Sequence, residues 1–170
     1  MVAKISLGKS LFGALAYNGE KINKEQGKLL GTNKIFDGCS GRMDIHRAMQ
    51  DFSRYLSPHV RTEKPVMHVS LNPHPDDRLT DMELEGIARE YMERMGFGEQ
   101  PYIIYKHEDI DRHHLHIVTI RVDDNGRCIS DRYNFRRSRE ITRELERKYG
   151  LHPADRRQHR HDNPLRKVDA

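Results

Sequence analysis

Three histidines in the stretch HEDIDRHHLHIV, from His107 to Val118, are spaced H-x6-H-x-H. On a strand successive side chains alternate faces, so His114 and His116 point one way while Leu115 and Ile117 point the other. If Tyr102 to Lys106 is the partner strand of a hairpin, His107 falls beside His114 and three imidazoles converge. Imidazole is the commonest transition-metal ligand, and three of them leave coordination positions open for water or substrate. A ligating histidine usually donates its other ring N–H to a carboxylate or carbonyl, and Glu108, Asp109 and Asp111 stand in the link between the strands. A His-x-His pair alone would be read as two cross-strand polar contacts; the third histidine and the acidic link favour a metal site. His113, facing opposite His114, is expected at the solvent or on a phosphate.

Charge points to the substrate class. The formal charge is +4 and the pI near 9.1. Between Arg132 and Arg160 there are ten Lys or Arg against four Asp or Glu, a surplus larger than that of the whole chain. A one-sided basic surface meets a polyanion, although a charge run also serves as a solvated helix face. A three-histidine metal site with such a surface suggests phosphate chemistry, in which the cation withdraws charge from a scissile phosphate. The nucleophile would be metal-bound water or a side chain that becomes covalently attached.

The elements that must position these residues follow from periodicity. Val2 to Leu7 reads as a strand, and Ser10 caps a helix with Leu11, Ala14 and Leu15 on one face, broken at Asn18-Gly19. Tyr17 stands at its end. Lys21 to Arg42 is expected to be a mobile loop. Asp44 caps a helix whose Ile45, Ala48, Met49, Phe52 and Leu56 form an apolar face ending at Ser57-Pro58. Pro65 to Asn72 is the clearest strand of the first half, with His68 either a structural strand residue or a neighbour of the site. Thr80 and Glu83 form a capping box before a core helix bearing Leu84, Ile87, Ala88, Tyr91, Met92 and Met95. After the histidine-bearing strands, Asp124-Asn125-Gly126 makes a turn, Arg127 to Asp131 a short strand, and Ser138 caps a last helix carrying Ile141, Leu145 and Tyr149.

This order predicts one α+β domain over residues 1–153, a mainly antiparallel sheet with helices packed on one side and the histidine metal site on its central strands. Residues 154–170 read as a basic, flexible tail or linker. Mean hydropathy of −0.89 and the absence of a long apolar run or a signal pattern lead to the expectation of a soluble, intracellular protein without membrane insertion. Cys39 and Cys128 are too far apart for a C-x-x-C motif and are read as unpaired thiols.

With an N-terminal tyrosine in LAYNGEK, a central strand HVSLNP and the HEDIDRHHLHIV block, the chain resembles relaxases of the mobilisation and conjugation type within the HUH endonucleases, especially the Bacteroides-type mobilisation relaxases. The resemblance covers almost all of Met1 to His152. It implies that His107, His114 and His116 bind a divalent metal and that Tyr17 attacks a phosphodiester of single-stranded DNA at an origin of transfer. The products implied are a 5′-phosphotyrosyl link and a free 3′-hydroxyl, the retained ester allowing the strand to be rejoined. It further implies a bacterial cytoplasmic enzyme that starts transfer of a plasmid or transposon, with accessory mobilisation proteins and coupling machinery as partners.

Physical chemistry bears on each role. A phenol is mostly protonated at neutral pH, so a tyrosine nucleophile needs a base or the field of the metal. Asp109 or Asp111 could accept the proton or orient a histidine, and orientation is the preferred reading. Tyr133 in DRYNFRR is the reserve nucleophile. Expected DNA contacts are Lys9, Arg121, Arg132, Arg136 and Arg137, with Tyr133 and Phe135 stacking on bases. An all-nitrogen triad favours transition ions such as manganese over magnesium on ligand grounds, although cellular supply can load either.

Three rivals are separable. A two-histidine phosphoesterase needs two H-x-Ser/Thr motifs, and only His68-Val69-Ser70 supplies one. A replication initiator or transposase would differ in its DNA substrate. A non-catalytic nucleic-acid-binding module would show no metal affinity and no covalent product.

Overall fold

Alternation of apolar side chains on both faces of the central strands requires covering layers on both sides of the sheet. In the computed structural model, which describes residues 1–23, 27–36, 44–108, 113–129 and 134–154, five antiparallel strands stand in the order β1-β3-β5-β4-β2. They are β1 (Val2–Gly8), β2 (Gly27–Asn33), β3 (Val66–Asn72), β4 (Tyr102–His107) and β5 (His114–Ile120). The helices are α1 (Leu11–Asn23), α2 (Ile45–Ser53), α3 (Asp81–Arg94) and α4 (Asn134–Tyr149).

The α+β class with an antiparallel sheet is as expected, and the helices divide between its faces. Met67, Val69, Leu71, Ile104, Leu115 and Ile117 pack with residues of α3 and α4. The alternate residues Val66, Ile103, Tyr105, Val118 and Ile120 pack with Leu11 and Leu15 of α1 and Ala48 and Phe52 of α2. The one-sided packing expected from sequence thus describes α3 and α4, while α1 and α2 cover part of the histidine face. The histidines occupy the part of that face beyond the α1–α2 core.

Local signals explain most boundaries. Asp44 accepts from the Arg47 N–H, and Thr80 and Glu83 form both bonds of the capping box. Other boundaries differ from expectation, and α2 ends at Ser53, before Ser57-Pro58. Helix α1 runs through Asn18-Gly19 because Asn18 turns inward and donates from Nδ2 to the Ala14 carbonyl at 2.8 Å, so it does not end the helix. The segment expected as loop contains β2, an edge strand whose register on β4 shifts between Leu29 and Gly31. Ser138 lies inside α4, buried, its hydroxyl 2.7 Å from the Tyr91 hydroxyl. Beyond β5, among the described residues, a bridge from Val122 to Cys128 stands in the region expected as a short strand.

Asp81, at the start of α3, joins that helix to the sheet. Its carboxylate accepts from Lys106 of β4 at 2.8 Å and from Lys28 of β2 at 2.6 Å. These two bonds, that of Lys106 first, hold its pKa below the ordinary 3.8. A carboxyl depressed by folding contributes stability above its ordinary pKa and loses it as pH falls toward the folded value. Asp81→Asn is therefore expected to cost about 1 kcal/mol at pH 7, and the gap to the parent should close below pH 3.8 in acid-dependent melts.

Candidate functional site

The register of the β4–β5 hairpin sets His107 directly opposite His114, with His116 opposite Tyr105. The predicted convergence is present: one ligand atom from each of His107, His114 and His116 lies within 4.8 Å of the other two. Ring centroids of His107 and His116 are 3.8 Å apart, and His114 stands edge-on to both at 5.1 and 4.9 Å.

The orientation of two of the rings identifies which nitrogens remain available. Nε2 of His107 is 2.8 Å from Oδ1 of Asn18, an atom that can only accept. His107 therefore donates from Nε2 and keeps the lone pair of Nδ1. His116 Nδ1 is 2.9 Å from His68 Nε2, and its own Nε2 is buried without a hydrogen-bond partner. The tautomer that gives this orphaned atom a lone pair makes His116 Nδ1–H the donor to His68. Burial, together with the neighbouring His107, His68, His114 and Lys21, pushes the His116 pKa down to about 2, so the ring is neutral and able to ligate at physiological pH. Burial also lowers that of His68. Three converging imidazoles, one of them with an unpartnered buried nitrogen, fit a divalent transition ion.

Asn18 and His68 thus each orient one histidine of the triad, His107 and His116 respectively. Glu108 pairs with Lys106 at 3.0 Å, and Asp109 and Asp111 lie outside the described residues. The strand position of His68 already makes it a candidate neighbour of the site. Asn18 reads locally as a helix stop, and its one signal is its place beside Tyr17. Asn18→Leu removes the acceptor while keeping the apolar bulk, and should weaken manganese affinity by about 10- to 100-fold in calorimetric titration. Asn18→Asp retains an acceptor and should restore most of it.

Tyr17, on α1 one residue before Asn18, is 55% exposed, with its ring edge-on to His107 at 6.3 Å between centroids. Lys21, one turn on, places its ammonium 5.4 Å from the Tyr17 centroid and adds positive charge that sequence reading did not single out.

The expected DNA-contact residues that lie within the described residues stand on several elements. Lys9 is exposed and faces Glu63 at 3.8 Å, while Arg121 hydrogen-bonds the Lys64 carbonyl and the Thr62 hydroxyl, tying down the preceding loop. Arg136, paired with Glu140, and Arg137 are exposed on α4, as is Phe135, and α4 packs on the opposite sheet face. Arg132 and Tyr133 lie outside the described residues. His113 is exposed, as expected. Among the described residues no helix is long and apolar enough to cross a membrane.

No curated protein matches the chain at a significant level. A family model does: it is the relaxase nuclease domain of the MobA/VirD2-like type, and its match spans residues 17–151, from Tyr17 through the histidine triad to the end of α4. With most of its length matched and the three histidines assembled on the sheet, the chain belongs to the relaxase family, as a MobA/VirD2-like nuclease domain with a DNA-nicking role.

Proposed function

We propose that this domain nicks single-stranded DNA at an origin of transfer, with Tyr17 as nucleophile and His107, His114 and His116 as ligands of a manganese or magnesium ion. The observation that carries the reading is the pairing of Tyr17 and Asn18 on α1. The exposed phenol lies beside His107, and the next residue orients that same histidine. An ion held by the triad would draw charge from the scissile phosphate.

Tyr17 Oη attacks the phosphorus, forming an O–P bond as the bond to the 3′-oxygen breaks. The phenol gives up its proton and the departing 3′-oxygen takes one up, so the products are a 5′-phosphotyrosyl ester and a free 3′-hydroxyl. One phosphodiester replaces another, which lets a 3′-hydroxyl reverse the step. Lys21 supports negative charge on the phosphate from its place beside the Tyr17 ring. Asp109 and Asp111 are retained as proton acceptors or orienting groups. Lys9, Arg121, Arg132, Tyr133, Arg136 and Arg137 are retained as contacts to the flanking strand. The role would be to start conjugative mobilisation of a plasmid or transposon in the bacterial cytoplasm, with accessory mobilisation proteins and coupling machinery as partners.

Labelled single-stranded oligonucleotides tiling the DNA around the gene, incubated with manganese, test the reading. It expects one cut site, leaving a 3′ end that a polymerase extends and a 5′ fragment end that carries protein. Cuts that leave unblocked 5′-phosphates throughout would mean hydrolysis and would remove the tyrosine from the chemistry.

A further inference from the structure

A second group of metal-competent side chains lies away from the triad, where the turn after β3 meets the chain leaving α4. His74, Asp76 and His152 each present one ligand atom within 4.8 Å of the other two. The rings of His74 and His152 stack with centroids 4.6 Å apart. His74 Nδ1 is 3.7 Å from a carboxylate oxygen of Asp76, near the separation of about 3.3 Å kept by two ligands of a tetrahedral ion. That nitrogen also accepts the Asp76 N–H at 3.1 Å, a bond that ligation through Nδ1 would replace.

The orientation of His152 comes from Asp77. Asp77 Oδ1 accepts from the His152 backbone N–H at 3.1 Å and lies 2.5 Å from its Nδ1. A carboxylate is an acceptor, so Nδ1 carries the proton and Nε2 keeps its lone pair, the arrangement in which a carboxylate backs a metal-ligating histidine. The Asp77 side chain is 3% exposed, and its second oxygen, Oδ2, is buried with no hydrogen-bond partner. Asp77 and His74 line a cavity of about 420 Å³, whose wall also includes Arg78, Thr80 and His113. Two imidazoles and a carboxylate oxygen within ligand range of one another can hold a cation.

We infer that His74, Asp76 and His152, backed by Asp77, form a second site for a borderline transition ion of the zinc, cobalt or nickel class. Two imidazole nitrogens and one carboxylate oxygen favour these ions over magnesium, and a three-ligand set leaves a position open for water. The ion would fasten the residues after α4 to the turn between β3 and α3, so its effect would be on stability and on the placement of the chain beyond α4.

Zinc titrated into the whole chain by calorimetry tests the site independently of DNA cleavage. The parent should take up two equivalents, and His114→Ala/His116→Ala should keep one, with a zinc-dependent rise in melting temperature. His74→Ala/His152→Ala should lose that equivalent and keep the one at the triad. If circular dichroism shows that this variant is unfolded, Asp76→Asn takes its place, since its side chain is 77% exposed, and should weaken the second equivalent by about 10-fold. Loss of all zinc uptake in His114→Ala/His116→Ala, or a second equivalent in the parent that survives both His74→Ala/His152→Ala and Asp76→Asn unchanged, would overturn the assignment.

Discussion

Tyr17→Phe is expected to abolish the covalent protein–DNA product and to slow strand cutting by on the order of 10³-fold or more, because it removes the single atom that bonds to phosphorus. Everything else the site needs should survive. The Tyr17 side chain is more than half exposed, so losing its hydroxyl leaves no buried group unpaired and the melting temperature should stay within a degree or two. The triad is untouched, so manganese affinity should be that of the parent. Loss of the adduct with metal binding and stability retained is a combination that a structural role for this tyrosine does not produce. An adduct that persists in the variant would transfer the role to another tyrosine, with Tyr133 the first to examine.

His116→Leu is expected to have the opposite profile. It removes a triad ligand, so metal binding should fall by more than the 10- to 100-fold typical of losing an orienting partner, and cutting should fall with it. Stability of the metal-free protein should not fall. In the parent, His116 keeps Nε2 buried and unpartnered, a cost of about 1–3 kcal/mol that an apolar side chain of similar size avoids. His68 then loses its partner, but it is only partly buried. The sign with pH is definite. A histidine whose pKa drops from 6.5 to about 2 on folding binds its proton more readily when unfolded, so its contribution is fully present above pH 6.5 and is lost progressively below it. The leucine variant should therefore exceed the metal-free parent in melting temperature by a margin that grows as pH falls from 6.5. A variant less stable than the parent at every pH would mean that the histidine is chiefly a packing residue.

The triad was legible in the sequence because strand alternation is strict: once His114 and His116 share a strand, they share a face, and a hairpin of this length brings His107 opposite. The helix caps at Asp44 and Thr80 were legible for a similar reason, since each bond is made within one turn. What escaped depended on partners distant in sequence. GKLLGTN carries two glycines and little β-branching, so β2 has a weak local signal and is stabilised by its pairing with β4. Gly27 opposite His107 shows the same dependence, since a Cβ there would stand 3.0 Å from the Lys106 carbonyl oxygen. Asn18 reads locally as a helix stop, and only the fold reveals that its amide faces His107, 89 residues further along. Ser138 resembles a cap because its partner, the Tyr91 hydroxyl, lies on another helix. The division of helices between the two faces was hidden because the apolar side of α1 does not specify which sheet face it meets.

Peptide mapping of the covalent product bears most directly on Tyr17 as the nucleophile. The DNA adduct formed by the parent protein with manganese would be trimmed with nuclease, digested with trypsin and read by tandem mass spectrometry. The segment SLFGALAYNGEK, between Lys9 and Lys21, contains one tyrosine. The account expects a phosphonucleotide on that tyrosine, absent when His116 is replaced. A phosphonucleotide on Tyr133 or any other residue, with the 10–21 peptide unmodified, would contradict it.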